Sequence, residues 1–392
     1  MFTNWWRSAI VLSVAVSGLP CHAAAQSATC NAQETFRNVN SLLQSRNYEA
    51  ASRALDQLRR CPDLSGIENF QMGWLYGRAR DFNTALKMFH SVSEDVPDLL
   101  THHYAVALSK FELADYRGAV GTLKNLPPGE SDAKCANLLA VSYSKLGLYP
   151  QAYAILTQET QKDPQDLTAF LNLVTVCAET GNFEQAASVS SEAARLFPQS
   201  SEVLVVKGAA NILLGHLDQA YSDFSAAVHL DPSRSDTRFF LALTDYKQAK
   251  FSDAAAVLQA ATKDGLIDSD LHYLLAECLL KLDSANTAEA MTELNQAIAL
   301  NGNSVSARTL RGRLLLDAGH PKEAVADLEF ASHHDPESRG ASYNLARAYR
   351  ALGKEKQARA LFQQLRGQTA DTLKTMSDEK LNSALAGKGA KP

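Results

Sequence analysis

The chain has 392 residues, a length that would ordinarily suggest two or three domains. Hydrophobic residues make up 46% and charged residues 21%, a globular balance that excludes a chain disordered by composition. A formal net charge of −5, with no stripe of Lys and Arg running along the sequence, argues against nucleic acid as the partner.

The first residues are of a different kind from the rest. Met1 to Arg7 carries one basic side chain, Ala9 to Leu19 is an apolar run of 11 residues, and small residues follow up to Ala25. That order is the order of a secretory signal, with Ala23 and Ala25 placing cleavage before Gln26. Two alternatives stand beside it: the run is kept as an anchor, or Cys21 carries lipid. A bilayer span needs roughly 20 apolar residues, and Pro20 stands where a lipid-attachment box wants a small side chain. The expectation is an exported chain, with residues 1–25 removed, periplasmic or secreted.

Beyond this segment two short helical patterns alternate to the end. The stretch Ser201 to Arg234 shows the unit: a first pattern holding Gly208, a break at Gly215-His216, a second pattern holding Ala220, Phe224 and Ala227, and Pro232 closing it. The second-helix alanine recurs as Ala51, Ala85, Ala119, Ala152, Ala186, Ala220, Ala254, Ala290, Ala324 and Ala358, at spacings of 33 to 36 residues. A fixed period of that size with a helix–turn–helix pattern marks a helical solenoid, which grows along one axis without a central core. A large apolar residue follows the alanine by four in most units, and Ser190 breaks that rule in the fifth. The eighth unit carries two extra residues between Leu282 and Thr287, and the third ends in the stiff run Leu126-Pro127-Pro128-Gly129.

These features resemble the tetratricopeptide-repeat family, whose pattern asks for small residues where the two helices of a repeat touch. The first-helix site here holds Val39, Gly73, Ala107, Ala140, Val174, Gly208, Ala242, Ala276, Gly312 and Ala346. The resemblance implies an all-α, right-handed superhelical solenoid of about ten repeats, starting near 32, 66, 100, 133, 167, 201, 235, 269, 305 and 339. The array is expected over residues 26–372, with a capping helix and flexible tail over 373–392, since a terminal repeat must cover its unstacked face.

No chemistry is written in the candidate reactive residues. Cys135, Cys177 and Cys278 fall on first helices, where cysteine acts as a small hydrophobe. Cys30 precedes the first helix and Cys61 follows its antiparallel partner, so the two ends meet and a disulfide is expected in an exported chain. The adjacent pairs His102-His103 and His333-His334 lack the spacing of a zinc helix, and no phosphate loop or nucleophile motif appears. No enzyme, cofactor or metal is expected.

The resemblance also implies a concave groove lined by first helices. At its lining positions stand Phe36, Phe70, Trp74, Tyr104 and Phe111, then Phe239, Phe240, Tyr246, Tyr273 and Arg347. Contact between neighbouring first helices accounts for part of this apolar content, and the aromatics recurring at the fifth position exceed what a solvated groove needs. The reading is a non-catalytic scaffold or adaptor of the cell envelope that holds a protein or peptide segment in the groove. A periplasmic client-binding, chaperone-like module is the alternative.

Overall fold

The computed structural model describes residues 30–92, 99–126, 131–365 and 381. All regular structure among them is helical, 20 α-helices with no strand, as the repeat pattern predicts. The signal segment and the capping helix fall outside the described residues, apart from Leu381, which is helical and buried.

The chain forms two compact units, one ending at Val176 and the other starting at Cys177. The first holds α1 (Ala32–Gln44), α2 (Tyr48–Leu58), α3 (Gly66–Arg78), α4 (Phe82–Ser91), α5 (Leu99–Glu112), α6 (Tyr116–Lys124), α7 (Ala133–Lys145) and α8 (Tyr149–Lys162). The division falls inside α9 (Leu167–Glu179). The second holds α10 (Phe183–Leu196), α11 (Ser201–Leu213), α12 (Leu217–Leu230), α13 (Ser235–Lys247), α14 (Phe251–Lys263) and α15 (Ser269–Leu282). It continues through α16 (Thr287–Leu300), α17 (Val305–Asp317), α18 (Pro321–His334), α19 (Arg339–Ala351) and α20 (Glu355–Gln364). The two extra residues of the eighth repeat are taken up by a 3₁₀ turn at Ser284–Asn286.

Side-chain size explains the pairing. All ten second-helix alanines are at most 1% exposed, because each sits where the helices of its repeat cross. Gly208 shows why the first-helix site must be small. A Cβ there would come within 2.8 Å of the Phe224 ring, so the glycine is the slot that the phenylalanine fills. Short polar residues start the helices: Asn31, Asn47, Asp81, Asp115, Asn182 and Ser200 each accept from a backbone N–H in the first turn. Ser65 and Glu68 form a reciprocal capping box at α3. Ser190 does not leave a gap with an unmet polar group; its hydroxyl donates to the Ala187 carbonyl of its own helix at 3.1 Å.

Within each unit, first helices also pack on first helices. Helix α1 touches α3 and α5 touches α7, while α13 packs between α11 and α15, and α17 on α19. Among the described residues no pair of second helices packs to that extent. Hydrogen bonds reinforce the stacking between successive repeats. Tyr76 donates to Asp56 at 2.8 Å and Tyr349 to Glu329 at 2.7 Å, each from a first helix to the second helix before it. Cys30 and Cys61 are joined in a disulfide, Cα atoms 5.8 Å apart, which ties the start of α1 to the end of α2.

In every repeat but the eighth, the turn between the two helices holds one left-handed residue. Glycine fills that seat at Gly215, φ 77°, but Ala249 holds it at φ 60°. There the Lys250 N–H closes the turn on the Asp245 carbonyl at 2.9 Å. An L side chain in this region costs about 1–2 kcal/mol, and glycine's extra unfolded freedom returns about 0.4–1 kcal/mol of that. Ala249→Gly is therefore expected to stabilise the protein by about 0.5–1 kcal/mol, read as a higher urea midpoint with unchanged slope. An equal or lower midpoint would show that the turn is not strained.

Candidate binding face

The aromatic side chains of the first unit gather at the meeting of α3, α4 and α5. Phe70 is 6% exposed and its ring lies 5.3 Å from that of Phe89. Trp74 remains partly open. Its ring meets Phe89 at 5.9 Å and stacks on Tyr104 at 6.3 Å, so three helices hold it in one orientation. Tyr104 is 9% exposed, and burial pushes its phenol above the ordinary value, which keeps it neutral. Phe111 is buried against Tyr116 of α6, with ring centroids 5.2 Å apart. Phe36 on α1 is half-buried.

In the second unit most of the expected lining is closed. Phe239 is wholly buried and Phe240 is 1% exposed, with the Phe240 ring stacked on Phe224 at 5.4 Å. Tyr273 is 1% exposed and donates to Glu277 at 3.1 Å; burial, then the Glu277 charge, hold its phenol well above the ordinary value. Tyr246 is half-buried against Phe251, ring centroids 5.2 Å apart. Phe70, Tyr104, Phe111, Phe239, Phe240 and Tyr273 are therefore corrected from groove lining to packing between helices. The apolar area that a groove would offer is spent on joining repeats. Phe36, Trp74, Tyr246 and Arg347 keep partial access to solvent.

One aromatic at the recurring fifth position is far more open than the others. Tyr343, at the fifth position of the last repeat, is 49% exposed. Its ring is braced edge-on by Phe362 of α20 at 5.9 Å. Arg347 lies one turn further along α19, where it donates to Asn344 at 3.1 Å and to Asp317 of α17 at 2.8 Å. Arg350 follows on the same side of the helix, its guanidinium 5.7 Å from the centre of the Phe362 ring. Arg313 on α17 is exposed and stands 34 residues before Arg347, in the equivalent place of its own repeat.

Other polar groups tie helices together. Asn172 donates to Asn137 at 2.8 Å, and Asn137 donates to Asp166 at 2.7 Å, a buried amide chain joining neighbouring repeats. Asp327 receives both Arg308, at 2.9 Å, and Arg311, at 2.6 Å. Cys135, Cys177 and Cys278 are buried; burial pushes the Cys177 thiol up to about 11 and, aided by Glu277 and Asp245, the Cys278 thiol up to about 12. Thiols so protonated make poor nucleophiles. Among the described residues there is no cluster of three or more His, Cys, Asp or Glu able to hold a metal ion. No described helix is long and apolar enough to cross a membrane.

Paired helices in a fixed register, joined through small residues and presenting a layer of first helices, define an α-helical repeat protein. Comparison with known proteins gives the class a name. The family model for the C-terminal domain of cilia and flagella-associated protein 70, itself built of such repeats, matches residues 84–344, and the tetratricopeptide-repeat model matches residues 315–376. The chain belongs to the tetratricopeptide-repeat family. It is 23% identical over 319 residues to human Superkiller complex protein 3, covering 81% of this chain and 18% of that protein. It is 25% identical over 284 residues to the mitochondrial import receptor subunit TOM70 of Saccharomyces cerevisiae, covering 68% of this chain and 45% of that protein. The chain thus spans less than half the length of either relative. A crystal structure of a tetratricopeptide-repeat protein from Parabacteroides merdae shares the fold at a TM-score of 0.51 and 16% identity, over 64% of this chain and 98% of that one.

Proposed function

We propose that this protein is a non-catalytic scaffold or adaptor of the cell envelope, exported by its N-terminal segment, whose first helices dock a segment of a partner protein. The observation that carries the reading is that in each unit an aromatic side chain held by its neighbours stays partly open on a first helix, Trp74 on α3 and Tyr343 on α19. Rigid aromatics anchor partner segments at little entropic cost, and they dominate binding energy where they do so. Two relatives carry names in keeping with this reading, a component of the Superkiller complex and a mitochondrial import receptor subunit. Burial holds the Cys177 and Cys278 thiols protonated, which makes them poor nucleophiles.

The test places a photo-crosslinking amino acid at position 74 in the intact cell envelope and then measures binding of the trapped partner. Trp74→Ala is expected to weaken that binding by about 1–3 kcal/mol, while Lys87→Ala, exposed on the second helix α4, leaves it unchanged. Thermal melts must show both variants folded. Normal folding with undiminished binding, or loss of binding only on the α4 side, would remove the first-helix layer as the docking face. A broad mixture of unfolded clients in place of one stoichiometric partner would favour the chaperone-like reading. N-terminal sequencing checks the export step: a mature chain beginning at Gln26 supports it, and one beginning at Met1 or at a lipid-bearing Cys21 overturns it.

A further inference from the structure

The first helices of the last two repeats differ in charge from the three first helices that precede them. Helix α11 holds one carboxylate and one cation, α13 two of each, and α15 two carboxylates and one lysine. Helices α17 and α19 together hold six arginines, at 308, 311, 313, 339, 347 and 350, against the single carboxylate of Asp317. Two of the six, Arg308 and Arg311, are committed to Asp327 of α18, whose side chain is 4% exposed. Arg313, Arg347 and Arg350 face a different fate. Arg313 and Arg350 are exposed, and Arg347 reaches across to Asp317, which is itself 49% exposed and one turn along α17 from Arg313. Beside these guanidiniums stands the open ring of Tyr343.

We infer that this arginine–tyrosine face of α17 and α19 binds an acidic peptide segment, whose side-chain carboxylates pair with Arg313, Arg347 and Arg350 while an adjacent apolar side chain packs on Tyr343. The inference rests on the reading that first helices dock partner segments, and it names the chemistry of the segment. Guanidinium is a planar fork that matches a carboxylate with two parallel hydrogen bonds, and these are stronger than neutral ones. Phe362 supports both Tyr343 and Arg350, and Asn344 and Asp317 orient Arg347, so little ordering remains at binding. The charge is also local. Three guanidiniums on two neighbouring helices suit a short cluster of carboxylates. A nucleic acid draws its affinity from many phosphates along a basic track, and a chain of net charge −5 without such a track does not provide one.

The experiment uses the full mature chain and fluorescein-labelled dodecapeptides of alternating glutamate and leucine, the same peptide with glutamine for glutamate, and one with lysine, read by fluorescence anisotropy. The acidic peptide should bind, its affinity falling with added salt, and the glutamine peptide should bind about tenfold or more weakly, as loss of charge-assisted hydrogen bonds implies. Arg313→Gln with Arg347→Gln should cause a loss of the same order, and Arg→Lys at both places should recover part of it. Lys322→Gln with Lys356→Gln, both exposed on second helices, removes the same net charge and should change nothing. Melting curves of each variant establish that it is folded. Equal binding of the glutamate and glutamine peptides, equal loss in the two double variants, or tighter binding of a single-stranded RNA dodecamer than of the acidic peptide would each overturn the inference. If the glutamate and glutamine peptides bind the parent equally well and Tyr343→Ala weakens both alike, this inference fails while the docking face stands. If no peptide binds and crosslinkers at positions 74 and 343 trap nothing, both readings fail together.

Discussion

Phe224→Ala is expected to lower the unfolding free energy by about 3–5 kcal/mol, the range for removing a fully buried phenylalanine. The ring is wholly buried and stands in the slot left by Gly208, where even a methyl group would come within 2.8 Å. That same fit prevents repair, because α11 has no side chain at position 208 able to move into the cavity. The ring also stacks on Phe240 of the following repeat, interplanar angle 18°, so its loss opens the crossing inside one repeat and the joint with the next. Stability in a repeat array is close to a sum over units and their interfaces, and the damage should therefore be local. Hydrogen exchange is expected to rise first in α11 to α14 and least in α1 and α2. Urea unfolding should show a lower midpoint, or an early partial transition if the array no longer melts as one. A loss below about 1 kcal/mol, or exchange rising evenly along the chain, would show that the Gly208–Phe224 fit is not a main source of cohesion.

The repeat was legible because it is a pattern of volumes. An alanine every 33 to 36 residues, a small residue one helix earlier and a large one four later are local requirements of two crossing helices. The sequence therefore carries them in nearly every unit, with Ser190 of the fifth as the exception. What lines the open face was legible only in part, since exposure at a fixed helix position depends on the neighbouring repeat. Phe239 and Tyr343 occupy the same position in their repeats, yet the first is wholly buried and the second is 49% exposed. Phe239 lies among first helices packed on both sides, with α13 between α11 and α15; Tyr343 lies on α19, whose first-helix neighbour among the described residues is α17. The charge pattern offered a signal that the aromatic stripe obscured. Six arginines against one aspartate on α17 and α19 can be counted in the sequence, but that Asp327 occupies two of them follows only from the packing of α17 on α18. The turns divide the same way. Gly215 announces a left-handed seat, whereas Ala249 reveals one only by its register with the glycines of other repeats.

Reduction of Cys30–Cys61 is expected to loosen the first repeat and to spare the repeats of the second unit. The bond spans 31 residues, for which the chain-entropy estimate gives about 3–4 kcal/mol of destabilisation on opening. Among the described residues the first repeat packs on the second alone, through α1 and α2 on α3, so the loss falls on few interfaces. Leu55 and Leu58 of α2 are wholly buried, and Tyr76 of the second repeat donates to Asp56, contacts that do not involve the bond itself. The first repeat should thus fray without the array unfolding. Hydrogen exchange under reducing conditions, and in the Cys30→Ser/Cys61→Ser double variant, should rise strongly in α1 and α2, modestly in α3, and stay unchanged in α12. Two variants distinguish the cross-link from the thiols themselves: the single Cys30→Ser change should match the double one, since either removes the bond. If α1 and α2 keep their protection after reduction, helix packing alone holds the terminal repeat. If α12 loosens as much as α1, the repeats are coupled far more tightly than nearest-neighbour stacking allows.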